Sequence, residues 1–163
     1  MIPLFLGFTA ANLLGLLAAM VMGYVSVGRP EFRGHHLLVG VLAAILCVGV
    51  HCVVFTYFVA TAKWIRHAIA VKGLDPALAL PTRSFKAMAF PAALGSMTLV
   101  FVASCLGAAS DAYRISGTWH HLLALTSIAA NVAGAAVEYH AISRNGILID
   151  DILARIGIAQ RVS

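Results

Sequence analysis

Charge is scarce in this chain. Only 10% of its 163 residues are Asp, Glu, Lys or Arg, and only 6 of those are acidic, whereas an average soluble domain carries about 25% charged residues. So few charges cannot clothe a water-facing surface, which excludes an ordinary soluble protein. With 61% hydrophobic residues and a mean hydropathy of +0.95, the chain belongs to the membrane class.

Cysteine is also sparse. Cys47, Cys52 and Cys105 all fall inside apolar runs, with no C-x-x-C and no Cys/His zinc spacing, so thiol-disulfide chemistry and structural zinc are excluded and buried, inert thiols are expected. No G-x-S-x-G, P-loop, H-E-x-x-H or dinucleotide fingerprint is present, which excludes a hydrolase or an NTPase. No internal repeat or low-complexity segment stands out.

What is abundant is apolar sequence in four long runs: about 2 to 27, about 37 to 62, about 88 to 110 and about 119 to 142. Each reaches the roughly 20 residues that a helix needs to cross a bilayer core. The expectation is an all-α, polytopic membrane protein: one domain over residues 1–163, folded as an antiparallel four-transmembrane-helix bundle. The first run lacks a basic leader and exceeds the usual length of a signal-peptide core, so it reads as a mature helix.

The net charge of +5 reports orientation, not nucleic-acid binding. Lys63, Arg66, Lys72, Arg83 and Lys86 lie between the second and third runs, and Arg144, Arg155 and Arg161 follow the fourth; the opposite side holds only Arg29, Arg33 and Arg114. By the excess of basic residues on cytoplasmic segments, both termini are expected in the cytoplasm of a plasma or inner membrane.

The connections read as follows. The second helix continues as KWIRHAIAVK to about residue 72 and stops near Gly73, with Trp64 as an interfacial anchor. Thr82 is a plausible N-cap for the third helix, and Pro91 a site for a kink. Asn145-Gly146 reads as a helix stop, followed by a short amphipathic tail over 147–160 with Ile149, Ile152, Leu153 and Ile156 on one face. Two acids and two bases over residues 147–163 give it little attraction to anionic lipid, so it is expected to dock on the bundle or a partner subunit.

Polar groups inside the runs carry the functional argument. In this topology the second and fourth runs descend in the same sense, so equal distances from their outer ends mean equal depth. His35 and His36 open one, and His120 and His121 open the other. His51 then lies about 22 Å below His36, and Glu138 about 25 Å below His121, at helical rise. At 100° per residue, His120, Ser127, Asn131, Gly134 and Glu138 form one stripe, and Gly40, Ala44, Cys47, His51 and Phe58 another. Asn12, Ala19 and Gly23 mark a third face, and Gly95, Ser96, Ser104 and Gly107 offer close-packing positions on the third helix.

An ionisable group at membrane depth persists when it is paired, hydrated or used. Glu138 with His51 reads either as a proton relay or quinone contact, or as an interhelical lock. His36 with His121 or His120 reads as a haem b or metal site, since a bundle needs one histidine on each of two facing helices at one depth, or else as solvated interfacial histidines. A second haem on His51 would need His140, about 6 Å out of register at helical rise, or Met97. Zinc or copper at His36, His120 and His121 also fits the ligand types. Tyr57, with Thr56 and Thr61, offers a further polar patch.

These features resemble small membrane b-type cytochromes in general terms, with no motif that assigns a family. The reading is a membrane redox or proton-coupled subunit, an electron-transfer component if it belongs to an enzyme, in contact with lipid and other membrane subunits. Its competitors are a non-catalytic scaffold subunit and a small transporter or channel. The spans lack the paired Gly/Pro-broken helices that many transporters use.

Overall fold

A computed structural model describes residues 1–113 and 116–162, with the side chains of Asp111 and 158–162 left aside; Arg114 and the Arg161 side chain are therefore outside the described residues. Four helices account for the fold: α1 (Ile2–Gly28), α2 (Arg33–Lys72), α3 (Pro81–Tyr113) and α4 (Gly117–Val162). A 3-10 turn, Pro30–Phe32, joins α1 to α2, and another, Pro76–Ala79, leads from α2 to α3. Among the described residues there is no strand. All four helices are long and apolar enough to cross a membrane.

The packing is that of an antiparallel bundle made of two hairpins, α1 with α2 and α3 with α4, which make the closest contacts. Helices α2 and α4 face each other across the middle. Two apolar clusters sit at different heights: Leu16, Ala43, Cys47 and Val100 in one, and Phe5, Val54, Phe58, Ala89, Ala141 and Ile142 in the other. Many large apolar side chains point outward, among them Leu14, Leu37, Ile45, Val59 and Phe101. A soluble protein rarely exposes so continuous an apolar belt; lipid is its natural cover.

Local chemistry explains most helix ends. Gly73 takes a left-handed conformation (φ 62) and its N–H closes on the last turn of α2, as a glycine C-cap does. Asp75 caps the next turn by accepting from the Ala77 N–H. Thr82, expected as an N-cap, lies inside α3, which begins at Pro81; its buried hydroxyl donates to the Ala79 carbonyl instead. Helix α3 runs through Pro91, whose side chain is exposed and whose ring removes one backbone N–H donor from the helix.

The largest departure from expectation is at Asn145-Gly146. Helix α4 passes through both without a break. Asn145 is buried and donates from Nδ2 to the Tyr57 hydroxyl (3.0 Å) and the Thr61 hydroxyl (3.1 Å) of α2. Tertiary bonding thus overrides the turn preference of Asn-Gly. The amphipathic tail is the end of α4, and it docks on the extension of α2 with Ile152 packed against Ile65 and Ile69. Of its expected apolar face, Leu153 remains exposed.

Candidate functional site

Two polar layers lie between α2 and α4. The deeper one confirms the depth argument: Nδ1 of His51 stands 2.7 Å from Oε1 of Glu138, with both side chains almost fully buried. Asn131, about two helical turns above Glu138 on the same stripe, ties the layer together. Its Nδ2 donates to the Ser127 carbonyl (2.8 Å), which turns its Oδ1 toward three donors: Asn12 Nδ2 on α1 (3.0 Å), and the longer contacts from Cys47 Sγ (3.4 Å) and His51 Nε2 (3.4 Å) on α2. Three helices therefore meet at one amide oxygen.

Donor and acceptor bookkeeping fixes the protons. Asn131 Oδ1 only accepts, so His51 Nε2 carries a hydrogen. One further proton lies between Nδ1 and Oε1, on nitrogen as an ion pair or on oxygen as a neutral pair, and the unit is electrically neutral either way. Both ring nitrogens of His51 are thus committed to protein partners. To ligate a cofactor His51 would have to give up its longer contact, from Nε2 to Asn131; of its two candidate partners, His140 is exposed. Asn12 Oδ1 and Thr9 Oγ1, buried on α1, find no partner among the described residues.

The upper layer is a pair of imidazoles. His36 Nδ1 is 3.0 Å from the Ala19 carbonyl of α1, and His120 Nδ1 is 2.8 Å from the Ala103 carbonyl of α3. A carbonyl only accepts, so each Nδ1 carries the hydrogen, and in neutral imidazole each Nε2 then presents a lone pair. Among the described residues neither Nε2 has a hydrogen-bond partner. The ring centroids are 6.0 Å apart with planes at 64°. Each ring also rests on a glycine: a Cβ at Gly23 would lie 3.1 Å from Cε1 of His36, and one at Gly107 only 2.9 Å from Cε1 of His120.

The partner of His36 is accordingly His120. His121, the other candidate, turns to α1, where its Nε2 meets the Tyr24 hydroxyl at 3.2 Å. The expected three-histidine metal cluster does not assemble: among the described residues no group of three or more His, Cys, Asp or Glu side chains converges. His35 stacks loosely on Phe32 and is exposed.

No family model matches the chain, nor does any curated protein or solved structure. The site has to be read from its own geometry.

Other candidates divide cleanly. Cys47 is buried in the deeper layer as expected, whereas Cys52 and Cys105 face outward on the apolar belt. Thr56 is outward-facing and spends its hydroxyl on its own helix. Gly95 is exposed and packs on nothing, and Ser104 bonds only its own helix. The other two expected close-packing positions of α3 do meet α4: Gly107 lies under His120, and the Ser96 hydroxyl oxygen sits 2.7 Å from where a Cβ of Gly134 would be. Sequence reasoning placed Asn12 on an inward face but missed its partner, because no periodicity reveals which of three neighbours an amide will choose.

Proposed function

We propose that this protein is an integral membrane electron-transfer subunit that holds one haem b between His36 and His120. The observation that carries this reading is the pair of facing imidazoles whose Nδ1–H groups are pinned to backbone carbonyls while both Nε2 atoms stay uncommitted. Metal-bound histidines are held by just such a hydrogen bond on the other nitrogen. The two ring centres are 6.0 Å apart, close enough for His36 and His120 to hold one metal between them. The iron would supply one-electron chemistry.

The His51–Glu138 pair is the proton-exchanging group of this proposal. It holds one proton between two acceptor atoms in a water-poor layer, where a change of charge nearby is felt strongly. With Glu138 only 1% exposed, direct contact with a quinone is not proposed for it. The basic end, with both chain termini, is assigned to the cytoplasmic side and the histidine pair to the opposite side.

The test is the absorption spectrum of the protein purified from haem-replete cells. The expected result is a low-spin b-type spectrum, one haem per chain by pyridine haemochrome, lost in both His36→Ala and His120→Ala and kept in His121→Ala. Colourless, iron-free protein overturns the haem reading, and the polar layers then specify helix packing in a scaffold subunit.

A further inference from the structure

The two imidazole seats are alike in more than composition. His36 reaches back 17 residues to the Ala19 carbonyl, and His120 reaches back 17 to that of Ala103. Each alanine whose carbonyl accepts is followed four residues later by the glycine under the ring, Gly23 or Gly107, and three later again by a serine. Ser26 Oγ donates to Gly23 O at 2.7 Å, and Ser110 Oγ to Gly107 O at 2.8 Å. The motif A-x-x-x-G-x-x-S followed by His thus occurs twice, at Ala19, Gly23, Ser26 and His36 and at Ala103, Gly107, Ser110 and His120.

The same offset runs through the bundle. Cys47 and Asn131 stand 84 residues apart and bond each other, and so do Thr61 and Asn145. Helices α2 and α4 begin at Arg33 and Gly117, at the same spacing. Phe58 and Ile142 share one core cluster, and Leu16 and Val100 another, each pair again in that register. Residues that occupy equivalent positions and touch each other define a two-fold axis, as in the self-complementary interface of a symmetric dimer. Here the axis runs between α2 and α4.

We infer that the chain is an internal duplication of a two-helix hairpin, and that its ligand lies on the pseudo-two-fold axis between two equivalent imidazole seats. Gly23 and Gly107 are the positioning residues of those seats. The ligand clause rests on the haem reading; the duplication and the seats do not. The deeper layer breaks the symmetry. His51 corresponds to Ala135, Glu138 to Val54, Asn12 to Ser96 and Thr9 to Ala93, so the ionisable pair on α2 and α4 has no ionisable counterpart in the other half. A ligand seat common to both halves sits above a proton site built once.

Two measurements test this on the full-length protein. In metal-free protein with 15N-labelled histidine, the ring shifts of His36 and His120 should both report hydrogen on Nδ1 and a bare Nε2. Gly23→Ala should displace the His36 signals alone, and Gly107→Ala the His120 signals alone; Gly40→Ala and Gly95→Ala, where nothing lies within 4 Å of an added Cβ, should move neither. Different tautomers for the two rings in the unsubstituted protein overturn the equivalence of the seats, whatever the variants do. In haem-loaded protein, Gly23→Ala and Gly107→Ala should each shift the midpoint potential and the low-spin electron paramagnetic resonance signal, in the same direction and by comparable amounts. Opposite or one-sided shifts refute the shared axis. Failure to bind haem, with matching tautomers, removes the ligand clause and leaves the duplicated seats standing.

Discussion

His51 and Glu138 are 87 residues apart in the chain and 2.7 Å apart in the bundle. Each sits on a helix long enough to cross a bilayer, and the two form a buried ion-pair or neutral-pair contact. Burying either alone would leave an unpaired polar group in an apolar layer, so their effects on stability must be coupled.

That coupling separates structure from proton chemistry. Glu138→Leu should cost about 3–5 kcal/mol, the usual penalty for breaking a buried pair. Glu138→Gln keeps the shape, and its amide can donate to His51 Nδ1 while Nε2–H still points to Asn131, so it should cost about 1 kcal/mol. Detergent-titrated unfolding in mixed micelles gives both numbers. The Gln variant has no exchangeable carboxyl proton; if the haem-loaded protein takes up protons on reduction, this variant should lose that uptake. Uptake unchanged in Glu138→Gln would remove the proposed proton role.

Gly134 and Ser96 form the tightest approach between α3 and α4 outside the imidazole seats. An added Cβ at Gly134 would lie 2.7 Å from the Ser96 hydroxyl oxygen, and that hydroxyl already donates to the Ala130 carbonyl at 3.3 Å. Gly134→Ala should therefore destabilise by about 1–3 kcal/mol, as overpacking does. Adding Ser96→Ala removes the clashing atom and should recover most of the loss. A double variant no better than Gly134→Ala would place the strain elsewhere, for instance on the Ala92 carbonyl.

Asn145 decides between local and tertiary control of α4. As a helix stop, its replacement by Ala would stabilise the helix by up to about 0.7 kcal/mol of propensity. As a bridge to Tyr57 and Thr61, its loss removes two hydrogen bonds of ~1 kcal/mol each. The second effect is larger, so Asn145→Ala should lower stability by about 1 kcal/mol. An increase would restore the reading of Asn145-Gly146 as a break.

The sequence was informative where helix geometry alone governs. Rise and period are fixed, so the depth match of His51 with Glu138 and the inward stripes through Asn131 and Cys47 could be worked out before any contact was known. It was silent where a choice depends on a third helix. His120 and His121 differ by 100° around α4, and only the positions of α3 and α1 send one to His36 and the other to Tyr24. Asn145 was misread because Asn-Gly carries a strong turn preference that buried hydroxyl partners overcome. The duplication stayed hidden because apolar residues in lipid-facing helices interchange freely. Its one legible trace, the spacing of Ala, Gly, Ser and His around each seat, gains meaning only when the carbonyl contacts are seen.

The end of α4 supplies a last expectation, and one that separates the basic end from the histidine pair. Ile152 is fully buried against Ile65 and Ile69 of α2, while the nearby Asp151–Arg155 pair is exposed and adds about 0.3–0.5 kcal/mol at most. Docking of this segment therefore depends on the isoleucines. Ile152→Asp places a charge in that apolar contact and should release residues 147–157 from α2, seen as faster amide hydrogen exchange there. Asn145 clamps α4 to α2 just before that segment, so exchange near His51 and Glu138 should stay slow, and any haem spectrum should be unaltered. Loss of protection along the whole of α4 would show instead that the basic end and the two polar layers unfold as one unit.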